Sequence, residues 1–182
     1  MSEHRTSLQW ARNGGPFARG NYSSSHEIRY SGGQTLTAAP APEFGGNAAH
    51  ADPEQLLLSA LSSCHMLTFL AVAANRGYVV DSYSDNAVAV LGKNAEGKTA
   101  VTQATLSPKV VFSGDKQPTP DEYAKLHERA NRLLHRQLDQ DGRRRTPLTA
   151  RGAHTRCRIC MKASGAGLHR DVTGRSRHCA AQ

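Results

Sequence analysis

Cysteine is scarce in this sequence: four residues in 182, and only Cys64 precedes residue 157. So few, so unevenly placed, exclude a disulfide framework and leave a single thiol in most of the chain. Aromatic residues stop early, all ten lying between Trp10 and Tyr123. The stretch beyond Tyr123 therefore lacks the side chains that contribute most to a core. Charge is missing from 55–75, which holds no Asp, Glu, Lys or Arg. That length is enough for a membrane span, but Ser59, Ser62, Ser63, His65 and Thr68 interrupt the apolar surface, so a buried helix and no membrane contact are expected. No apolar run follows the polar start at 1–10, so no cleavable secretory leader is expected and the reducing cytoplasm is the expected compartment.

What is present suits one domain: 38% hydrophobic residues in a 19.6 kDa chain, enough for a single core. The formal charge of +8 is not spread evenly. Residues 1–131 carry 11 Lys and Arg against 12 Asp and Glu, while 132–182 carry 12 against 3. The chain divides into a near-neutral domain at 1–131 and a basic tail at 132–182. The tail is rich in arginine, aperiodic and free of aromatics, a composition expected to be disordered. Cys157 and Cys160, with His154, His169, His178 and Cys179, are metal-ligand types, but their spacing matches no compact zinc pattern and no metal is expected. Arg143, Arg144 and Arg145 suit non-specific phosphate contact. Without interleaved aromatics or a recognition module, no specific nucleic-acid partner is expected, and a basic-tailed nucleic-acid-binding protein stands only as an alternative.

Along the domain, two short runs at 27–31 and 34–38 flank Gly32-Gly33 and predict a hairpin. A loop of Ala, Pro, Gly and Asn at 39–51 leads to Asp52. There Asp52, Pro53 and Gln55 form a capping box with proline at the first helical position, and Gly77 supplies the stop. The helix between them is apolar on nearly every face and requires cover all round. Two Val- and Thr-rich segments at 79–91 and 99–114, joined by a turn at 92–97, predict a second hairpin. Thr119 and Glu122 cap a second helix, amphipathic through Tyr123, Leu126, Ala130 and Leu133. Strands, helix, strands, helix, joined by hairpins, predict an α+β fold with an antiparallel sheet.

Three residues of the first helix are candidates for chemistry, and each has an ordinary reading as well. Cys64 is a small core hydrophobe or a nucleophile. Because it sits mid-helix, a thiolate there needs a cation or donors from another segment. His65 is a helix-surface or core imidazole, or a general base. Glu54 is an acid favoured by the helix dipole, or a functional carboxylate.

The run Asp52-Pro53-Glu54-Gln55-Leu56-Leu57-Leu58-Ser59-Ala60-Leu61-Ser62-Ser63-Cys64-His65 closely resembles the motif of the OsmC/Ohr family, in which an Asn-Pro-Glu-(Glu/Gln)-Leu run leads into a helix bearing a reactive cysteine. The likeness extends to Gly32-Gly33, Pro42-Glu43-Phe44-Gly45-Gly46, Asp81-Ser82-Tyr83-Ser84-Asp85, Leu106-Ser107-Pro108 and Leu126-His127-Glu128-Arg129-Ala130. It covers roughly the first 130 residues. The resemblance implies an α+β intertwined homodimer and a thiol peroxidase for organic hydroperoxides. Cys64 would be its peroxidatic thiol, Glu54 a supporting carboxylate that orients a guanidinium, and an external thiol its reductant, with no cofactor. A non-enzymatic domain of the same fold, binding a small apolar ligand, is the alternative. Glu54 and Cys64 are ten residues apart, about 15 Å along a helix axis and about 80° around it, so one site needs one of them from a second copy.

Two departures stand out. The resemblance implies an arginine between Tyr22 and His26, where the sequence reads Ser23-Ser24-Ser25; Arg19 and Arg29 are the nearest substitutes. After Ala130, where the resemblance implies Cys-Phe-Ile-Ala-Asn-Ser-Ile-Lys-Thr with a resolving cysteine, no such segment follows. Written in G/C-ending codons, that segment is TGC TTC ATC GCC AAC TCG ATC AAG ACG. Read from the last base of TGC, it encodes Leu-His-Arg-Gln-Leu-Asp-Gln-Asp, the residues found from Leu134 to Asp141. A change of reading frame near Asn131 is therefore expected, with the tail as out-of-frame translation.

Overall fold

The structure is a computed structural model that describes residues 3–138 and 157–159. Among the described residues, eight strands and two long helices follow the order β1 (Thr6–Gln9), β2 (His26–Tyr30), β3 (Thr35–Ala38), α1 (Pro53–Asn75), β4 (Val79–Asp85), β5 (Val88–Lys93), β6 (Thr99–Leu106), β7 (Pro108–Ser113), α2 (Pro120–Leu138) and β8 (Cys157–Ile159). All strand pairings are antiparallel: β1-β2-β3, β4-β7 and β5-β6-β8. The α+β class read from the sequence holds. The β2–β3 hairpin forms as expected, and β1, unrecognised in a polar and exposed stretch, adds to its edge.

The loop after β3 is tightly folded. A Cβ on Gly46 would lie 1.4 Å from the Pro40 carbonyl oxygen, so only glycine fits that approach. The loop ends at the capping box: the Gln55 amide donates to Asp52 Oδ1 at 2.7 Å and the Asp52 amide to Gln55 Oε1 at 3.3 Å. Gly77, at φ 75°, turns the chain out of α1.

The two long strand segments each break in two. The hairpin interrupts at Asn86-Ala87 on one side and Ser107 on the other, where the Ser107 amide donates to Asp85 Oδ1 at 2.6 Å in place of a ladder partner. The inner half, β4–β7, therefore belongs to a different sheet from the outer half, β5–β6. Helix α2 begins at the Thr119–Glu122 box and runs past residue 131 to Leu138. The expected domain boundary thus falls inside a helix, because residues 132–138 are mostly good helix formers. Of the rest of the tail only Cys157–Ile159 is described, as a strand on the edge of β6. The expectations of disorder and of no zinc or phosphate site otherwise lie outside the described residues.

The main core joins α1 to α2 and to β4–β7: Phe69, Val72, Ala73, Tyr78, Leu126 and Ala130, with Tyr83, Phe112 and Tyr123 around them. A smaller cluster joins α1 to β6 through Leu61, Ala104 and Leu106. Within the single chain, cover of α1 is one-sided, leaving bare the face for which the sequence reading expects cover from elsewhere. Its buried residues, Leu61, His65, Phe69, Val72 and Ala73, form one stripe. Ala60, Ser63, Leu67, Ala71 and Ala74 lie exposed on the opposite face. By length and composition α1 would cross a membrane, though one such helix is weak ground for a span.

Candidate functional site

Cys64 sits half-buried in the middle of α1, packed with Leu58 and Ala87 against Leu61, Ala104 and Leu106. Its own backbone carbonyl accepts from Thr68 Oγ1 at 2.8 Å. Glu54, in the first turn, lines an open groove of about 300 Å³ with Glu43, Asp52, Gln55 and Leu91. Because α1 is one unbroken helix, Glu54 and Cys64 remain about 15 Å apart along it, and a single chain does not bring them together. Of the two expected substitutes for the missing arginine, Arg29 is paired to Glu27 on β2 and Arg19 is exposed in the arm before it.

A second groove, about 430 Å³, runs along the helix between Ser59, Ser62, Ser63 and Met66 on one wall and Tyr83 and Asp85 on the other. Asp85 organises that wall. Its Oδ2 accepts from Ser62 Oγ at 2.5 Å while its Oδ1 holds the Ser107 amide, fastening α1 to the break in the hairpin.

His65 turns the other way, into the core. It is 0% exposed, and its Nδ1 lies 2.8 Å from the Tyr83 hydroxyl. Its ring stacks on that of His127 from α2, with centroids 5.3 Å apart and planes within 5°. His127, 1% exposed, also lies 4.4 Å from the Phe69 ring and meets Tyr123 edge-on at 4.6 Å. Among the described residues His65 Nε2 and both nitrogens of His127 make no hydrogen bond. Each such buried group costs about 1–3 kcal/mol, and burial lowers the pKa of His65 from 6.5 to about 4 despite the opposing field of Asp85. Burial, with the neighbouring His65, lowers that of His127 to about 3. Both rings are therefore neutral at physiological pH. Sequence reasoning reached His65 but passed over His127. The available signal was its position on the apolar stripe of α2, one turn after Tyr123 and beside Leu126.

Compared with solved structures, the chain aligns with an OsmC-like protein of unknown function from Vibrio cholerae at 42% identity, over 75% of this chain and 90% of that one, with a TM-score of 0.69. This chain belongs to the OsmC-like family. The family model described as OsmC-like protein matches residues 45–133, a span that begins just before α1 and ends within α2. Two organic hydroperoxide resistance proteins share the fold at lower identity. That from Elizabethkingia anophelis is 15% identical over 78% of this chain and 90% of its own, with a TM-score of 0.56. OhrB of Bacillus subtilis is 14% identical over 78% and 93%, with a TM-score of 0.51. No curated protein matches the chain.

Proposed function

We propose that this protein is a cytoplasmic thiol-dependent peroxidase that reduces organic hydroperoxides through Cys64. The observation that carries the reading is the placement of the domain's one cysteine: half-buried at mid-α1, on an apolar bed of Leu61, Ala104 and Leu106 suited to an alkyl group. It borders the bare face of the helix, about 60° around the axis from the exposed Leu67. A second copy packed on that face covers the stripe from Ala60 to Ala74 and brings its own α1 alongside. The partner's first turn is then the source of the carboxylate, Glu54, that one chain holds too far from the sulfur. Dimerisation and assembly of the site become one event.

In the reaction, the Cys64 thiolate attacks the peroxide O–O bond and forms a new S–O bond. The O–O bond breaks, and the alkoxide leaves and takes a proton to become the alcohol. The sulfur is oxidised by two electrons to a sulfenic acid and the peroxide is reduced by two. Glu54 is the supporting carboxylate, whose role is to orient a guanidinium that favours the thiolate, and Arg19 and Arg29 are the nearest arginines to the position where the sequence lacks one. The resolving-cysteine segment that the resemblance implies after Ala130 is absent from the sequence, so the sulfenic acid condenses with an external thiol, releasing water, and a second thiol restores Cys64 and carries away the disulfide. Slow turnover follows from the missing resolving cysteine.

One equivalent of cumene hydroperoxide followed by dimedone, with mass spectrometry of the peptide bearing Cys64, tests the reading. A dimedone adduct on Cys64, absent in Cys64→Ser, supports it. Peroxide consumption that is equal in Cys64→Ser removes it and leaves the non-enzymatic, apolar-ligand reading of the same fold.

A further inference from the structure

The two buried imidazoles join different elements: His65 belongs to α1 and His127 to α2, and their rings form a parallel stack at the helix–helix contact. The groups facing them from every packed element are few. From β4 come the Tyr83 hydroxyl on His65 Nδ1 and, at longer range, Asp85, both of whose oxygens are occupied by Ser62 and the Ser107 amide. From α1 comes Phe69, and from α2 the edge of Tyr123. No carboxylate touches either ring among the described residues, and three of the four ring nitrogens have no acceptor. Neutral rings tolerate this box. A proton arriving on either ring brings a charge and an additional N–H donor with nothing to receive it, and a second proton places like charges 5.3 Å apart.

We propose that the His65–His127 stack is an acid-labile latch: with both rings neutral it holds α2 on α1, and proton uptake releases α2. Among the described residues, Leu126, Ala130 and Tyr123 join α2 to the Phe69 cluster, and His127 meets that cluster directly through the rings of Phe69 and Tyr123. The lowered proton affinity of both rings is the other face of the same linkage: what the docked helix disfavours, the undocked helix accepts. The latch stands on the core geometry and does not depend on the peroxidase reading.

Hydrogen exchange on the full chain from pH 7.5 to pH 5 tests it, compared as protection factors so that the intrinsic pH dependence of exchange is removed. Below pH 6.5, α2 amides lose protection by up to about a hundredfold per pH unit, one factor of ten for each imidazole that gains a proton, while β5–β6 amides keep theirs. His127→Phe, which keeps an aromatic ring in the stack, limits the loss to about tenfold per pH unit. Loss of protection in α2 and β5–β6 by the same factor, or none in α2 down to pH 5, overturns the proposal. If His127→Phe does not fold, ring-proton NMR of the wild type decides. Imidazole signals that titrate only as α2 opens support the latch, and signals that titrate near pH 6.5 with α2 still protected overturn it.

Discussion

Adjacent residues on an α-helix point about 100° apart, and on α1 that angle separates two kinds of chemistry. Cys64 faces the β6 cluster at the border of the bare stripe, whereas His65 faces α2 and is sealed from solvent. His65 is thus a core residue with a polar cost, not a base for its neighbour. The ordinary value for histidine is 6.5, and both folded-state values lie below it, so the unfolded chain binds protons that the folded chain refuses. Stability from these two residues is complete above pH 6.5 and is lost as pH falls, through about 4 for His65 and about 3 for His127. The slope approaches about 1.4 kcal/mol per pH unit for each ring. Urea midpoints measured between pH 7 and pH 4 should fall along that slope, and His127→Phe should flatten it. At Phe69, which is 0% exposed and touches Tyr83, Phe112, Tyr123 and His127, truncation to alanine should cost about 3–5 kcal/mol of unfolding free energy.

At the scale of elements, local chemistry in the sequence is followed closely where a cap or turn sets it. Asp52, Pro53 and Gln55 open α1 as the capping box requires, and Thr119 with Glu122 opens α2 in the same way. Asp52→Ala should lower stability by about 1 kcal/mol, readable as a shift in denaturant midpoint without a change in slope. Gly46→Ala should cost more, since its Cβ meets backbone with no flexible side chain to yield. The breaks that split the second hairpin were legible on one side only. Asn86-Ala87 carries no strong turn signal, the Ser107-Pro108 break signal was passed over in a run taken as one strand, and the interruption is fastened by a long-range bond from the Ser107 amide to Asp85. Strand β1 was equally hidden, because a four-residue, fully exposed strand has no burial period to read.

The whole molecule, taken as one chain, leaves α1 half covered. Leu67 is 60% exposed, and the small residues in line with it allow a second helix to approach closely. If two copies meet there, light scattering should give twice 19.6 kDa. Leu67→Arg, on a face that the single chain does not bury, should return the mass to 19.6 kDa and abolish peroxide reduction while leaving α1 folded. The family match ends at residue 133, beside the point where the codon argument places the change of frame. Resequencing the codons around Asn131 checks that account: a gene confirmed in the present frame, with this tail, removes it.

The sequence by itself determined the helix caps, the α+β order, the family and the one thiol of the domain, because these depend on neighbours in the chain, on periodicity and on a contiguous motif. Only the tertiary structure decided which side of α1 is buried. A helix apolar all round gives no moment to read, and its facing residues come from α2 and β6, far along the chain. For the same reason the His65–His127 pair was invisible beforehand: two imidazoles 62 positions apart in the chain become one stack only when the helices that carry them pack together.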